Sequence, residues 1–237
     1  MCDQNHVHTA LCAGPFDPLI TAPRQQPVGT AAQVRTEHAN DSWQPTPDDI
    51  SPDEALALLY AGNVRFATGN PAAPNRDLER LKEVAPAQKP FAAILGCADS
   101  RVPVEIVFDQ GCGDLFVTRI AGNVTTPECI SSLEFGTHVL GAKVLYVLGH
   151  TNCGAVSAAV RGEQMPGQIS VLFQHLRSAV KAAQGDVATA VTENVKAQAA
   201  VLSEASPVIA QLIRDGKLKV AGGVYDVSTG RVMPVEL

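Results

Sequence analysis

Pro90-Phe91-Ala92-Ala93-Ile94-Leu95-Gly96-Cys97 is the stretch that decides the fold. It is apolar without interruption, opened by a proline and closed by a cysteine, and shows no alternation of period two. A strand apolar on both faces belongs in the middle of a parallel sheet. Two later runs have the same character, Leu115-Phe116-Val117-Thr118-Arg119-Ile120 and Val144-Leu145-Tyr146-Val147-Leu148-Gly149. Between them, 128–140 reads as a helix, and helical patterns follow near 153–161, 169–183, 187–203 and 207–215. The stretch 219–227 then leads through a turn at Ser228-Thr229-Gly230-Arg231 to a closing strand. Upstream, Ser51 is a good N-cap, Pro52 takes the first helical position and Glu54 completes a capping box. That helix runs past Phe66 and stops before Gly69-Asn70-Pro71, and a short helix is expected over 76–84. Strands alternating with helices predict an α/β fold with a mostly parallel β-sheet flanked by helices.

Composition narrows the function classes. The chain has 237 residues, 18 Lys+Arg against 24 Asp+Glu and a net charge of −6, with no basic block. That balance argues against a nucleic-acid binder held by phosphate neutralisation. No apolar run approaches the ~20 residues that span a bilayer, so no membrane partner is expected. The hydrophobic fraction, 46%, excludes a wholly disordered chain. Six cysteines (Cys2, Cys12, Cys97, Cys112, Cys129, Cys153) are too scattered for a disulfide scaffold. With no basic n-region followed by an apolar h-region, a cytoplasmic location and reduced, metal-competent thiols are expected. Residues 1–47 are rich in Pro, Gln, Thr and Ala and lack periodicity; they read as an irregular or disordered N-terminal extension before a single domain over 48–237. Cys2, His6, His8 and Cys12 lie in that extension at spacings that match no metal site.

The chemistry concentrates in two short segments. Cys97-Ala98-Asp99-Ser100-Arg101 directly follows one buried strand, and His150-Thr151-Asn152-Cys153 follows another. Ligands of open α/β sheets bind beyond the carboxyl ends of the strands, so both segments aim at the same edge. Two thiols, an imidazole and a carboxylate form a borderline-soft donor set suited to tetrahedral zinc. Cys112 and Cys129 lack paired ligand spacing, and His138 and His175 read as packing or surface residues. Asp109 and Gln110 read as turn residues before the second strand.

These segments, with the connecting Gly113-Asp114-Leu115-Phe116-Val117-Thr118-Arg119-Ile120-Ala121-Gly122-Asn123 and the terminal Gly149-His150-Thr151-Asn152-Cys153-Gly154, resemble the β-class carbonic anhydrases over roughly residues 50–235. The resemblance implies a four-stranded parallel sheet with an extra edge strand. It implies one zinc ion per subunit held by Cys97, His150 and Cys153, and reversible hydration of CO2 to bicarbonate and a proton through a hydroxide formed on zinc. Asp99 is expected either as a fourth ligand, which closes the site, or gripped by Arg101, which leaves the fourth position open. The substrate pocket implied by position comprises Gln88 from a neighbouring subunit, Phe116 as an apolar wall, Phe135 where some members carry a tyrosine, and the Gly154 N–H toward bicarbonate. Self-association as a dimer or tetramer follows from the same likeness. Two other functions share these residues: a same-fold hydrolase of CS2 or COS, and a non-catalytic zinc-stabilised scaffold with Asp99 locked on the metal.

Overall fold

Ala92–Gly96 (β1) is buried along its whole length and has a parallel strand on each side, Leu115–Arg119 (β2) and Val144–His150 (β3). In this computed structural model the described residues are 48 and 50–237. The expected extension over 1–47, with Cys2, His6, His8 and Cys12, lies outside them. Lys219–Tyr225 (β4) adds in parallel to β3, and Val232–Val235 (β5) closes the edge antiparallel to β4. The order is β2-β1-β3-β4-β5. The mostly parallel sheet with one extra edge strand is the architecture that the sequence predicts.

Period-two geometry divides the core. Ala93, Leu95 and Cys97 face one side with Leu145 and Val147; Ala92 and Ile94 face the other with Tyr146 and Leu148. The second side is covered by Pro52–Ala67 (α1), capped as expected by Ser51, whose Oγ accepts from the Glu54 N–H at 3.3 Å while Glu54 Oε2 accepts from the Ser51 N–H at 2.7 Å. Leu78–Val84 (α2) follows, capped by Asp77 rather than beginning at Arg76. Arg76 is otherwise engaged, its Nε donating to the Gln110 carbonyl at 3.0 Å. A four-residue helix, Val104–Val107 (α3), has no periodicity to betray it in sequence and was not expected.

On the first side lie Pro127–Glu134 (α4), Gly154–Val160 (α5), Ile169–Ala183 (α6), Val187–Ala205 (α7) and Pro207–Arg214 (α8). The helix expected over 128–140 changes character at Phe135, where residues 135–139 form a wider π-type turn with the Leu140 N–H bonded to the Phe135 carbonyl at 3.1 Å. Gly136 in that turn lies against the Phe116 ring: a Cβ there would meet it at 2.7 Å. Close approach also governs α7, because a Cβ on Gly222 would stand 2.5 Å from Val195 Cγ1. Valine is stiff at χ1 and cannot step aside cheaply. Gly222→Ala is therefore expected to destabilise the protein by about 1–3 kcal/mol, read as a lower urea midpoint by circular dichroism; an unchanged midpoint would contradict the tight α7–β4 contact.

Candidate metal centre

The strand order reverses direction around β1: the chain moves from β1 outward to β2, then returns across to β3. The crevice beyond the carboxyl ends of β1 and β3 is thus the switch point at which such sheets bind ligands. Gly96 pairs with Leu148, so Cys97 after β1 and His150 at the end of β3 leave the sheet side by side. Cys153 follows a tight turn in which Asn152 takes the left-handed conformation (φ 56°). That turn is tied to β4 and the residues after it: the Thr151 N–H donates to the Tyr225 carbonyl at 2.9 Å, and Thr151 Oγ1 accepts from the Val227 N–H at 3.1 Å.

The two thiol sulfurs and one imidazole nitrogen converge, all lying within 4.8 Å of one another. All three residues are buried, His150 completely. His150 Nδ1 lies 3.0 Å from the Thr151 carbonyl and donates to it, which leaves Nε2 with its lone pair free. That Nε2 is buried without a hydrogen-bond partner. An orphaned buried nitrogen beside two thiols is costly unless something binds it, and a metal ion is the group that all three donors fit.

The electrostatics agree. Hydrogen bonding from the Cys153 thiol, and further from the Asp99 and Gly122 N–H groups, holds the Cys97 thiol below its ordinary value despite its burial. Cys153 is pushed up, because it shares its proton with Cys97 and is buried beside it. The two sulfurs thus share a proton, and a cation is what would release it.

Asp99 lies beside this cluster, its Oδ2 3.9 Å from His150 Nε2. Arg101 grips it bidentately, with Nε on Oδ1 at 3.0 Å and Nη2 on Oδ2 at 2.8 Å, and the Arg101 N–H adds a third bond to Oδ1 at 2.9 Å. This fork holds the Asp99 carboxyl well below the usual carboxylate range and raises Arg101 in return. Arg101 Nη2 also donates to the Asn152 carbonyl at 3.2 Å, joining the two segments. Of the two arrangements considered for Asp99, the structure holds the one gripped by arginine.

Among the other singled-out residues, Phe116 and Phe135 approach to 6.2 Å between ring centroids, and Phe135 remains 46% exposed. Gly154 opens α5 and faces open space, since a Cβ there would meet nothing within 4 Å. Gln88 is exposed on the loop before β1 and takes no part in the hydrogen bonds of the cluster. Cys112 is exposed and Cys129 is buried among apolar residues. His138 is exposed on the π-type turn and His175 half-buried in α6. Asp109 proves more than a turn residue. Fully buried at φ 47°, it accepts from Arg65 Nε at 2.6 Å and from the Ala72 and Ala73 N–H groups at 2.9 and 2.8 Å.

Sequence reading missed the supports of the first segment. Arg119, at the end of β2, donates to the Cys97 carbonyl at 2.9 Å and to the Asp99 carbonyl at 2.6 Å. Its place at the carboxyl end of a strand was the available signal.

Comparison with known proteins agrees with this geometry. The profile of the carbonic anhydrase family matches residues 92–232. The chain is 36% identical over 193 residues to carbonic anhydrase 2 of Mycobacterium tuberculosis, covering 78% of this chain and 93% of that one. It is likewise 36% identical over 190 residues to a carbonic anhydrase of Mycolicibacterium smegmatis, covering 77% and 92%. Among solved structures, the Coccomyxa β-carbonic anhydrase in complex with acetazolamide superposes with a TM-score of 0.60 at 31% identity, covering 76% of this chain and 85% of that one. A β-carbonic anhydrase of Sordaria macrospora shares the fold at a TM-score of 0.63 and 24% identity, covering 78% and 96%. With the predicted segments side by side at the switch point of the predicted sheet, and relatives matched along nearly their whole length, the chain belongs to the β-carbonic anhydrases, a family whose general reaction is the hydration of CO2.

Proposed function

We propose that this chain holds one zinc ion per subunit through Cys97, His150 and Cys153 and interconverts CO2 with bicarbonate and a proton. The observation that carries the proposal is the convergence of the three donors with His150 Nε2 buried and unpartnered. Two thiolates and a neutral imidazole balance a divalent charge, and this N/S set suits zinc. Bound zinc supplies Lewis acidity that makes water a nucleophile near neutral pH.

The chain's own residues do the rest. Arg101 fixes the Asp99 carboxylate beside the cluster, so that a lone pair left free on Asp99 Oδ2 orients the attacking water and accepts its hydrogen bond. Phe116 and Phe135 give an apolar wall that suits CO2 better than water. The Gly154 N–H, at the open start of α5, donates to an oxygen of bicarbonate.

Gln88 reaches the site of a second subunit in a dimer or tetramer. Support for self-association comes from α2, none of whose residues is buried and whose Leu78 is 71% exposed. Such thiols need a reducing compartment, and we place the protein in the cytoplasm. No helix among the described residues is long and apolar enough to cross a membrane. Asp99 in the arginine fork, off the donor cluster, disfavours the scaffold reading.

Stopped-flow CO2 hydration tests the proposal. Chelator-stripped protein is expected to fall to the uncatalysed background and to recover with one equivalent of zinc; activity that survives complete stripping would refute it. The rate is also expected to rise from pH 6 to 9. Asp99 is depressed and Arg101 raised, so their pair is lost only in acid, as pH falls through the lowered carboxyl pKa, or in strong base. Their charges are constant in this window, and the rise reports the less acidic water of a thiolate-rich site. A flat profile would count against that donor set.

A further inference from the structure

Two backbone N–H groups donate to the Cys97 sulfur: that of Asp99 at 3.4 Å and that of Gly122 at 3.3 Å. Gly122 sits in the short turn Ala121–Asn123 with φ 74°, a conformation in which a residue without a Cβ is restrained very little by its own sterics. Its orientation must therefore come from outside. The Gly122 carbonyl accepts from Asn194 Nδ2 at 2.8 Å, across 72 residues of sequence. Asn194 Oδ1 in turn accepts from Gln198 Nε2 at 2.9 Å, one helical turn along α7. Gln198 Oε1 accepts from the Thr125 N–H at 2.7 Å, and its Nε2 also donates to the His175 carbonyl at 3.2 Å. Both amides are buried, at 1% and 2% exposure, on the face of α7 that is otherwise Val191, Val195, Ala199 and Leu202.

A pair of amides in such a face is expensive unless fully bonded, and here every bond but the one within the pair serves the backbone of the 122–125 loop or of α6. Gly122 is thus anchored at its carbonyl by Asn194 while its N–H donates to the Cys97 sulfur. A hydrogen bond to a thiolate draws charge from it and weakens its donation to a metal.

Resting on the zinc reading above, we propose that Asn194, braced by Gln198, is a positioning residue that sets the donor strength of Cys97 by holding the Gly122 N–H on its sulfur. The residue touches neither substrate nor metal and acts through Gly122 alone.

The experiment is cobalt substitution of the full-length protein, read by the thiolate-to-cobalt charge-transfer band, together with zinc affinity by chelator competition. Asn194→Asp keeps shape and the bond from Gln198 but removes the donor to the Gly122 carbonyl. It is expected to move the band to longer wavelength and to tighten zinc binding, both as a more electron-rich sulfur requires. Gln198→Met leaves the Asn194 donor in place and is expected to move the band the same way by less; it carries the test if Asn194→Asp does not fold. A folded variant with the wild-type band and zinc affinity, altered only in its thermal midpoint, would reduce Asn194 to a structural brace and overturn the proposal. Should the wild-type protein itself take up no cobalt, the metal reading falls first and this inference with it.

Discussion

Arg101→Ala is expected to lower kcat/KM for CO2 hydration by about 10²–10⁴-fold, the usual worth of a positioned proton-accepting group, while zinc stays bound at one per subunit. The three converging donors do not include arginine, so nothing in the substitution removes a ligand. What goes is the fork that spans both Asp99 oxygens at 3.0 and 2.8 Å. Released, the carboxylate stands 3.9 Å from His150 Nε2, near enough to turn onto the metal and close its fourth position. Zinc content by a chelating dye and turnover by stopped flow separate the two effects. Full activity would remove the dyad from the mechanism, and loss of zinc would recast Arg101 as a structural support of the turn through its bond to the Asn152 carbonyl.

Replacing a thiol should produce the opposite pattern. Cys97→Ser and Cys153→Ser each substitute a hydroxyl that does not ionise near neutral pH. A structural zinc site is worth about 10–16 kcal/mol over its ligands, and the share of one ligand makes the expected loss of affinity about 10³-fold or more. Activity should fall to background in step with metal content. The sheet should persist, because Cys97 and Cys153 lie just past strand ends whose ladders do not involve them. A serine variant that retained stoichiometric zinc and turnover would show that some other residue completes the donor set.

The fold was legible because its central strands carry their burial in their composition. Ala92 to Leu95 and Val144 to Leu148 are unbroken apolar runs, and an all-apolar run has few places to go except the interior of a sheet. The donors were legible for the same reason, since each follows such a run directly. What stayed hidden depends on contacts between distant residues. The change at Phe135 goes with a contact that is not visible in 128–140 alone, Gly136 packing on Phe116. Asp109 read as a turn residue, and only the fold brings Arg65 and the Ala72-Ala73 backbone around its carboxylate. Asn194 and Gln198 read as ordinary polar positions of a helix; their partners lie 72 and 73 residues earlier.

The register of β1 against β3 has a consequence for how the donors come to be assembled. Neighbouring strands stand about 4.8 Å apart; Cys97 directly follows one of two such neighbours and His150 ends the other. The separation of these two donors is inherited from the backbone ladder, so part of the site's shape is drawn by the sheet itself. An ion bound there would meet Cys97 and His150 already set at a spacing that the strands fix.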